Sequence, residues 1–343
     1  MCHSGGQATK VSRRMRLAPL TTLRLGGPAE RLVEARSEDE LVAAVRAGAV
    51  LVLAGGSNVV IADAGVPGTV VLVRTTGVAR EGDLLVVAAG EPWDGVVARC
   101  VAEGWQGVEC LSGIPGSAGA TPIQNVGAYG QDVAETVEWV RVYDREADRV
   151  LTLRAAECGF GYRRSVFKHR DRWTVLAVAF RLRESRRSGP VRYAELARAL
   201  GVSVGASAPL EEVRDAVLAL RRGKGMVIDP ADPDSVSAGS FFTNPILTEA
   251  QWRALDGAPA FPEPDGRIKT SAAWLIERAG FSRGYARGRA AISSKHTLAL
   301  VNRGGATTEE LLALAREIAA GVRERFGVEL VPEPVLVGQA WNG

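Results

Sequence analysis

The chain has 343 residues, 46% of them hydrophobic and 24% charged, which is typical of folded proteins and leaves room for two or three domains. Its formal net charge of +3 neither favours nor excludes a nucleic-acid partner. Because the arginine clusters within residues 13–16 and 181–187 contain no interleaved aromatic side chains, we interpret them as solvated surface and expect no nucleic-acid binding.

Few residues are of the types that bind metals or form disulfides. The four cysteines include no CxxC pair, and reduced thiols in a cytoplasmic protein are the simplest interpretation. The three histidines are too scattered for a zinc site, so we expect no metal. Residues 1–16 are polar and basic, and we predict that they are disordered and are not a signal peptide. No apolar run reaches membrane-spanning length, which again favours a cytoplasmic protein with no membrane partner.

The first half of the chain alternates predicted helices with β-branched strands. Ser37 and Glu40 form a capping box for a helix that ends at Gly48. A second helix is predicted over residues 92–105, with Pro92 at its start. Strands are predicted over residues 50–54, 68–74, 83–90, 137–144 and 173–182.

The second half follows a charged segment, residues 183–190, that ends in Gly-Pro and indicates a domain boundary. Thr307 and Glu310 form another capping box at the start of a long helix. Helices are predicted over residues 209–224, 270–280 and 307–327, and strands over residues 291–302 and 328–338. The sequence therefore predicts an α+β fold in two lobes, residues 17–185 and 186–343.

Two glycine-rich segments of the first lobe are typical of ligand binding. The GGSN loop (residues 55–58) follows a predicted strand, and its backbone N–H groups could bind a phosphate; the alternative is a plain tight turn. It matches neither a P-loop nor the G-x-G-x-x-G motif. The longer glycine-rich loop (residues 112–130) allows backbone to lie along an extended ligand. Together the two loops suggest a dinucleotide.

Three further segments carry polar side chains that could take part in chemistry. Arg163 and Arg164 are either surface residues, or one of them binds a carboxylate or enolate. Ser240 lies in SAGSFFTNP, between small residues, with no nearby histidine to activate it as a nucleophile. Glu333 lies between two prolines and is either an exposed strand residue or a positioned group with a perturbed pKa. These residues favour an enzyme without fixing its reaction.

Taken together, these motifs resemble one family, the UDP-N-acetylenolpyruvoylglucosamine reductases (MurB), in its long form. The resemblance extends from about residue 17 to 340. It rests on seven segments that occur in the family's order: LRLGGPA, AGGSN, GIPGSAGATPIQNVGAYG, GYRRSVFK, GSFFTNP, AAWLIERAG and PEPVLVG.

The resemblance implies a two-lobed α+β flavoenzyme. Its first lobe would be an FAD-binding lobe of the vanillyl-alcohol-oxidase type, with FAD bound noncovalently, and its second an α+β lobe that binds a UDP-sugar. The implied reaction is the NADPH-dependent reduction of UDP-N-acetylglucosamine enolpyruvate to UDP-N-acetylmuramate, in the synthesis of peptidoglycan precursors. The implied enzyme is a cytoplasmic monomer that supports cell-wall biogenesis, cell shape and cell division. NADPH and the substrate would use one pocket in turn, which implies ping-pong kinetics.

The resemblance also assigns roles to individual residues. Those matching the catalytic positions are Arg163, Ser240 and Glu333. Those implied to contact FAD are Leu53, Gly55, Gly56, Ser57, Asn58, Ile114, Pro115, Gly116, Ser117, Gly119, Ala120, Thr121 and Gly127. Those implied to contact the substrate are Tyr162, Tyr193, Lys224 and Asn244. The spacing after Lys224 departs from the family pattern, and the role of His296, where some members have glutamine, stays open.

Two other functions are compatible with parts of the sequence. A flavin oxidase of the same lobe type would often tether FAD through a histidine near the GGSN loop, but no histidine occurs between His3 and His169. A non-catalytic sensor of nucleotides or cell-wall precursors would be expected to have lost Arg163, Ser240 or Glu333, and all three are present.

Overall fold

The structure is a computed structural model that describes residues 11–341. Within this range the chain forms seven α-helices and 22 strands, many of the strands only two or three residues long. The helices are α1 (Glu38–Arg46), α2 (Trp93–Glu103), α3 (Ala194–Leu200), α4 (Leu210–Gly223), α5 (Glu249–Arg253), α6 (Ala272–Arg278) and α7 (Thr308–Phe326).

The strands follow in chain order. They are β1 (Val11–Arg16), β2 (Pro28–Ala35), β3 (Leu51–Leu53), β4 (Val59–Ile61), β5 (Val66–Val73), β6 (Val78–Glu81), β7 (Leu84–Ala88), β8 (Trp105–Gln106), β9 (Gly127–Ala128), β10 (Gln131–Asp132), β11 (Val137–Asp144), β12 (Arg149–Arg154), β13 (Trp173–Arg181), β14 (Arg183–Glu184), β15 (Ser237–Ser240), β16 (Ile246–Leu247), β17 (Phe261–Pro262), β18 (Ile268–Lys269), β19 (Ala286–Arg287), β20 (Ala290–Ile292), β21 (Ala299–Asn302) and β22 (Val335–Val337).

The chain divides into two compact units that interleave along the sequence. Among the described residues, the first unit comprises residues 11–16, 28–55 and 66–220, and the second comprises residues 17–27, 56–65 and 221–341. These limits do not coincide with the predicted division at residues 185 and 186. Helix α3, and helix α4 as far as Leu220, belong to the first unit, and their apolar residues, such as Leu196 and Val213, pack in one cluster with Cys110.

The first unit contains two larger sheets. One is mixed, with strand order β1-β2-β5-β3, and the other is antiparallel, with order β12-β11-β13-β7-β6. Helix α2 buries its apolar side against this unit's core, where the rings of Trp93 and Phe180 lie 5.4 Å apart. The Ser37 side chain accepts a hydrogen bond from the Glu40 amide at the start of α1, as predicted. The Glu40 carboxylate, however, accepts from the Arg36 amide (2.7 Å) and not from that of Ser37, so the prediction of a full capping box is wrong in its second half.

Part of the predicted N-terminal disorder is wrong. Residues 11–16 form strand β1, which pairs antiparallel with β2, while residues 1–10 lie outside the described part of the chain. Five of the six side chains of β1 are exposed, so backbone pairing rather than burial holds this strand. A composition rich in arginine gives no sign of such pairing, because any residue with a backbone N–H can join a sheet ladder.

The second unit is built around α7 and an antiparallel sheet with order β15-β21-β20-β19. Thr307 and Glu310 form the predicted capping box, and the Asp63 carboxylate accepts hydrogen bonds from the amides of Thr308 (2.9 Å) and Glu309 (3.1 Å). Asp63 closely follows β4, which pairs parallel with β22. The start of α7 is therefore fixed to the segment that follows the GGSN loop.

The predicted strand over residues 291–302 is interrupted by a turn. The Ser293 hydroxyl accepts hydrogen bonds from the amides of Lys295 (3.0 Å) and His296 (3.3 Å), which separates β20 from β21. Of the predicted strand over residues 328–338 only β22 forms, because two prolines precede it. None of the helices described is both long and apolar enough to cross a membrane.

Candidate active site

The two glycines of the GGSN loop are required by close packing. A Cβ on Gly55 would lie 2.6 Å from the Gly116 Cα, so this loop and the glycine-rich loop touch within the first unit. Gly56 belongs to the second unit, has a φ of +59°, and would place a Cβ 2.1 Å from the Leu20 carbonyl oxygen. No side chain fits at either position without moving backbone.

The first part of the glycine-rich loop is held against the segment that leads into α2. Its backbone hydrogen bonds to residues 89–93 are Gly119 N to Ala89 O (2.9 Å), Ala118 N to Glu91 O (2.8 Å) and Trp93 N to Gly116 O (3.0 Å). A Cβ on Gly119 would lie 2.5 Å from the Ala89 Cβ, so this contact also requires glycine. The loop is therefore ordered by backbone contacts, although it contains little regular secondary structure.

Ser117 is the residue of this loop that most directly indicates a ligand. Its side chain is 4% exposed, and its Oγ has no hydrogen-bond partner within the described residues. A buried hydroxyl without a partner costs roughly 1–3 kcal/mol. By contrast, the buried Thr121 hydroxyl donates to the Ala118 carbonyl (2.8 Å). A polar ligand that bonded to Ser117 would remove this cost.

The remaining residues expected to contact FAD differ in exposure. Leu53 is buried in the core of the first unit, so it can reach a ligand only through its backbone. Gly56, Ser117, Gly119 and Thr121 are buried, Gly55 is exposed, and Ser57, Asn58, Ile114, Pro115, Gly116, Ala120 and Gly127 are half-buried. The half-buried positions can present backbone or side-chain groups to a cofactor, and the buried Ser117 can do so through the hydroxyl described above.

Arg163 is fixed by the glycine-rich loop. Its guanidinium donates hydrogen bonds to the carbonyl oxygens of Asn125 (3.2 Å) and Gly127 (2.7 Å) and lies 5.4 Å from the centre of the Tyr162 ring. Arg163 has a φ of +51°, a conformation uncommon for a side chain of this size. Because Arg163 is half-buried and Arg164 is exposed, the structure distinguishes the two adjacent arginines.

Two residues that the sequence did not single out hold this arrangement. The Asn125 side chain donates to the Gly161 carbonyl (3.1 Å) and accepts from the Ala134 amide (3.0 Å). The Ser165 hydroxyl donates to the Ile123 carbonyl (2.5 Å). Both tie GYRRS to the glycine-rich loop. Only their position inside two glycine-rich motifs could have indicated this role from the sequence.

Ser240 and Glu333 lie on hydrogen-bonded neighbouring segments of the second unit. Ser240 ends β15 and pairs with Ala299 of β21. The Glu333 amide donates to the carbonyl of Phe241, the next residue after Ser240, at 2.8 Å. Both Ser240 and Glu333 are half-buried. Two predicted catalytic residues far apart in sequence are thus brought to neighbouring positions.

Asn58 links the GGSN loop to Glu333. Its side-chain amide donates to the Glu333 carbonyl at 3.4 Å, and its own carbonyl accepts from the Val335 amide at 3.0 Å. These bonds continue directly into the parallel pairing of β4 with β22. A residue predicted to bind FAD therefore also holds the backbone of a predicted catalytic residue.

The residues expected to contact the substrate occur in both units. In the first unit, Tyr193 is 45% exposed and packs edge-on against Tyr129, with ring centres 5.6 Å apart. In the second unit, Lys224 follows α4 and is half-buried. The Asn244 side-chain oxygen accepts from the Ala272 amide (3.0 Å), so it also caps α6.

His296 has a structural contact. Its Nδ1 accepts a hydrogen bond from the Leu298 amide (3.0 Å), and the Leu298 carbonyl in turn accepts from the Phe241 amide (2.7 Å). In this arrangement the ring hydrogen of neutral His296 lies on Nε2. Among residues 11–341, no group of three or more His, Cys, Asp or Glu side chains is arranged to hold a metal ion.

Known protein families match both parts of the chain. A model of an FAD binding domain matches residues 29–153, and a model of the UDP-N-acetylenolpyruvoylglucosamine reductase C-terminal domain matches residues 230–337. A UDP-N-acetylenolpyruvoylglucosamine reductase from Thermobifida fusca (strain YX) is 58% identical over an alignment of 351 positions, gaps included. The alignment covers 96% of this chain and 99% of the relative.

The chain belongs to the UDP-N-acetylenolpyruvoylglucosamine reductase family. Another reductase of this family, from Salinispora arenicola (strain CNS-205), is 58% identical over an alignment that covers 94% of this chain and 95% of the relative. The crystal structure of the reductase (MurB) from Thermus caldophilus superposes with a TM-score of 0.69, at 27% identity, covering 96% of this chain and 99% of the other. The resemblance found in the sequence is thus confirmed.

Membership of the reductase family also confirms the predicted α+β flavoenzyme fold and the assignment as an FAD-dependent oxidoreductase. The residues present fit the cofactor of this reductase family. Within residues 11–341 the buried Ser117 hydroxyl has no hydrogen-bond partner, and Gly116 of the glycine-rich loop lies against Gly55 in the first unit. The roles of individual residues remain predictions.

Proposed function

We propose that the chain reduces the enolpyruvyl group of UDP-N-acetylglucosamine enolpyruvate, giving UDP-N-acetylmuramate, with NADPH as the reductant and FAD bound noncovalently. The observation that carries this proposal is the hydrogen bond that places Glu333 beside the segment of Ser240. The 58% identity to named reductases over nearly the whole chain supports the same reaction.

FAD, when bound, supplies hydride transfer between NADPH and the carbon–carbon double bond. The GGSN loop would hold its pyrophosphate through backbone donors, and Ser117 would donate to or accept from a polar group of the cofactor. The other residues proposed to contact FAD contribute mainly backbone, because seven of the thirteen are glycine, alanine or proline. Backbone donors suit a phosphate because they are fixed before the ligand arrives.

Arg163 is proposed to stabilise negative charge on the substrate. Addition of a hydride to one carbon of the double bond leaves an enolate-like charge that is conjugated with the carboxylate. The two carbonyl contacts of Arg163 fix the plane of its guanidinium, which bidentate binding of a carboxylate requires. A fixed cation is effective because it needs no reorganisation as the charge develops.

Ser240 is proposed to donate the proton that completes the reduction, and Glu333 to orient or polarise the same part of the substrate. A serine hydroxyl is a weak acid, but a basic enolate is a strong acceptor. The position of Ser240 at the end of β15, beside the Glu333 segment, supports this role more than that of a nucleophile.

Tyr162, Tyr193, Lys224 and Asn244 are proposed to contact the UDP-sugar. A lysine suits a diphosphate, and a tyrosine can contact both apolar and polar parts of a ligand. We further propose a cytoplasmic monomer whose product enters peptidoglycan synthesis and so supports cell shape and division. The free thiols of the buried Cys100, Cys110 and Cys158 are consistent with a reducing compartment.

An anaerobic titration of the purified holoenzyme tests the proposed reaction. NADPH should bleach the flavin absorbance, and UDP-N-acetylglucosamine enolpyruvate should then restore it without oxygen. A flavin oxidase would instead be reduced by a sugar or lactone and reoxidised by oxygen. A sensor would show neither step. Flavin that NADPH reduces but the enolpyruvyl substrate does not reoxidise would contradict the proposal.

A further inference from the structure

A charged side chain contacts the N-terminal end of the glycine-rich loop. The Gly113 amide donates a hydrogen bond of 2.6 Å to Oδ1 of Asp94, in the first turn of α2. Gly113 has a φ of +71°, so the peptide group before it points in a direction that few residues adopt. The Asp94 carboxylate therefore fixes where the loop turns toward Ile114 and Pro115.

Asp94 is itself fixed by an arginine from another helix. The guanidinium of Arg214, on α4, donates to Oδ1 of Asp94 at 2.7 Å and to Oδ2 at 2.9 Å. The Arg214 side chain is only 16% exposed. Most surface ion pairs contribute little, but a bidentate pair with one largely buried partner holds both charged groups in a single orientation.

This pair extends the cofactor site beyond the FAD binding domain. Asp94 and Gly113 lie within the residues matched by that domain model, 29–153, whereas Arg214 lies outside them. Next to the bond from Gly113 to Asp94, the backbone of Gly116, Ala118 and Gly119 forms hydrogen bonds with residues 89–93, which directly precede Asp94. A substitution of Arg214 therefore affects the loop through the Asp94 carboxylate, which binds both Arg214 and the Gly113 amide.

We propose that Arg214 is a positioning residue for the cofactor loop and that it acts through Asp94. Bidentate binding by Arg214 prevents the Asp94 carboxylate from rotating, so that Oδ1 stays directed at the Gly113 amide. This inference rests on the proposed contact of residues 114–121 with FAD. In this role Arg214 contacts neither FAD nor substrate and sets the affinity of the loop for FAD.

The dissociation constant of FAD tests the proposal. It is measured by diluting each holoenzyme and following the fluorescence of released flavin. Arg214→Met removes the guanidinium and keeps similar length, and it should raise the Kd about tenfold or more. Arg99→Met is the matched control, because Arg99 pairs with Glu103 on the exposed side of the same helix as Asp94. The control should leave the Kd within about twofold.

A double variant separates positioning from general loss of packing. If Arg214 acts through Asp94, Asp94→Asn combined with Arg214→Met should bind FAD no more weakly than the weaker single variant. If Arg214→Met does not fold, Arg214→Lys keeps the charge without the fork and should give a Kd above that of the wild type. The proposal would be overturned if the Kd for FAD were unchanged in Arg214→Met, or in Arg214→Lys where that variant replaces it. It would also be overturned if the losses of FAD affinity in the two single variants added up in the double variant. The anaerobic titration of the wild type is independent of these results, so failure of this inference and failure of the proposed reaction are distinguishable.

Discussion

The backbone amide of Glu333 donates a 2.8 Å hydrogen bond to the carbonyl oxygen of Phe241. Because Phe241 follows Ser240 directly, this one bond sets the spacing between the segments of two proposed catalytic residues. Phe241 is 1% exposed, and its own amide donates to Leu298 at 2.7 Å, so the bond is anchored in the core of the second unit. Neither segment can shift without the other.

Substitution of Arg163 should slow the reaction even when the charge is kept. Arg163→Lys loses the planar fork that the carbonyls of Asn125 and Gly127 hold. Loss of one such donor typically costs about 2.7–4 kcal/mol of transition-state stabilisation, so kcat should fall about 10²–10³-fold. Arg164→Lys, at the exposed neighbouring residue, is the control and should keep near-normal turnover. Normal turnover in Arg163→Lys would refute the bidentate role.

Ser117→Ala should have opposite effects on the FAD-free protein and on FAD binding. In the FAD-free protein the change removes a buried hydroxyl that has no hydrogen-bond partner among the described residues, so the melting temperature should stay the same or rise. FAD affinity should fall about tenfold, since a hydrogen bond to the cofactor is lost. Calorimetry and flavin release measure the two quantities.

Ser112→Ala provides the contrast for Ser117→Ala. The buried Ser112 hydroxyl donates to the Glu109 carbonyl at 2.7 Å, so its loss should destabilise the FAD-free protein by about 1 kcal/mol. A drop of similar size in Ser117→Ala, with unchanged FAD affinity, would show that Ser117 has a structural role only.

Local signals explain why much of the fold could be predicted. The helix caps at Ser37 and Thr307 are decided by residues within one helical turn. The capping box at Thr307 forms as predicted, and at Ser37 the bond from the Glu40 amide to the serine hydroxyl forms. The interleaving of residues 17–27 and 56–65 with the second unit depends on tertiary packing and leaves no local signal. The turn that separates β20 from β21 escaped prediction because one hydroxyl, that of Ser293, outweighs the β-branched pattern.

The residues of the candidate site also differ in whether the sequence reveals them. Arg163, Ser240 and Glu333 stand out by residue type within unusual glycine and proline contexts. The ion pair of Asp94 with Arg214 joins residues far apart in the chain, and each looks like an ordinary exposed helix residue in the sequence. Side chains that position a site are close to it in space, and their spacing in the sequence does not show this proximity.

The three described cysteines should be unreactive and should affect stability at high pH. Burial raises the pKa of Cys100 and of Cys110 to about 12, with nearby Glu103 and Glu109 acting in the same direction, and burial raises the pKa of Cys158 to about 12. Between about pH 9 and 12 the unfolded chain therefore loses thiol protons that the folded chain keeps. Ionisation favours the unfolded state, so stability should fall as the pH rises through this window, by up to about 1.4 kcal/mol per pH unit for each thiol.

Alkylation and unfolding experiments check this behaviour. Iodoacetamide at pH 8 should leave Cys100, Cys110 and Cys158 unmodified in the folded protein, as mass spectrometry of the peptides would show. Replacing the three cysteines by alanine or valine should flatten the decline in stability above pH 9. Rapid labelling of any of them in the native protein would contradict the burial on which the pKa shifts depend.

Stopped-flow measurement of the two half-reactions of Ser240→Ala shows whether Ser240 donates the proton to the substrate. General acid catalysis contributes roughly 10²–10⁴-fold, so reoxidation of the reduced flavin by the enolpyruvyl substrate should slow by at least about 10². Reduction by NADPH should be nearly unchanged, because no substrate proton moves in that step. If Ser240 only completes a turn at the end of β15, both half-reactions should fall together with stability. Equal losses in the two half-reactions, measured on folded protein, would contradict the proton-donor role.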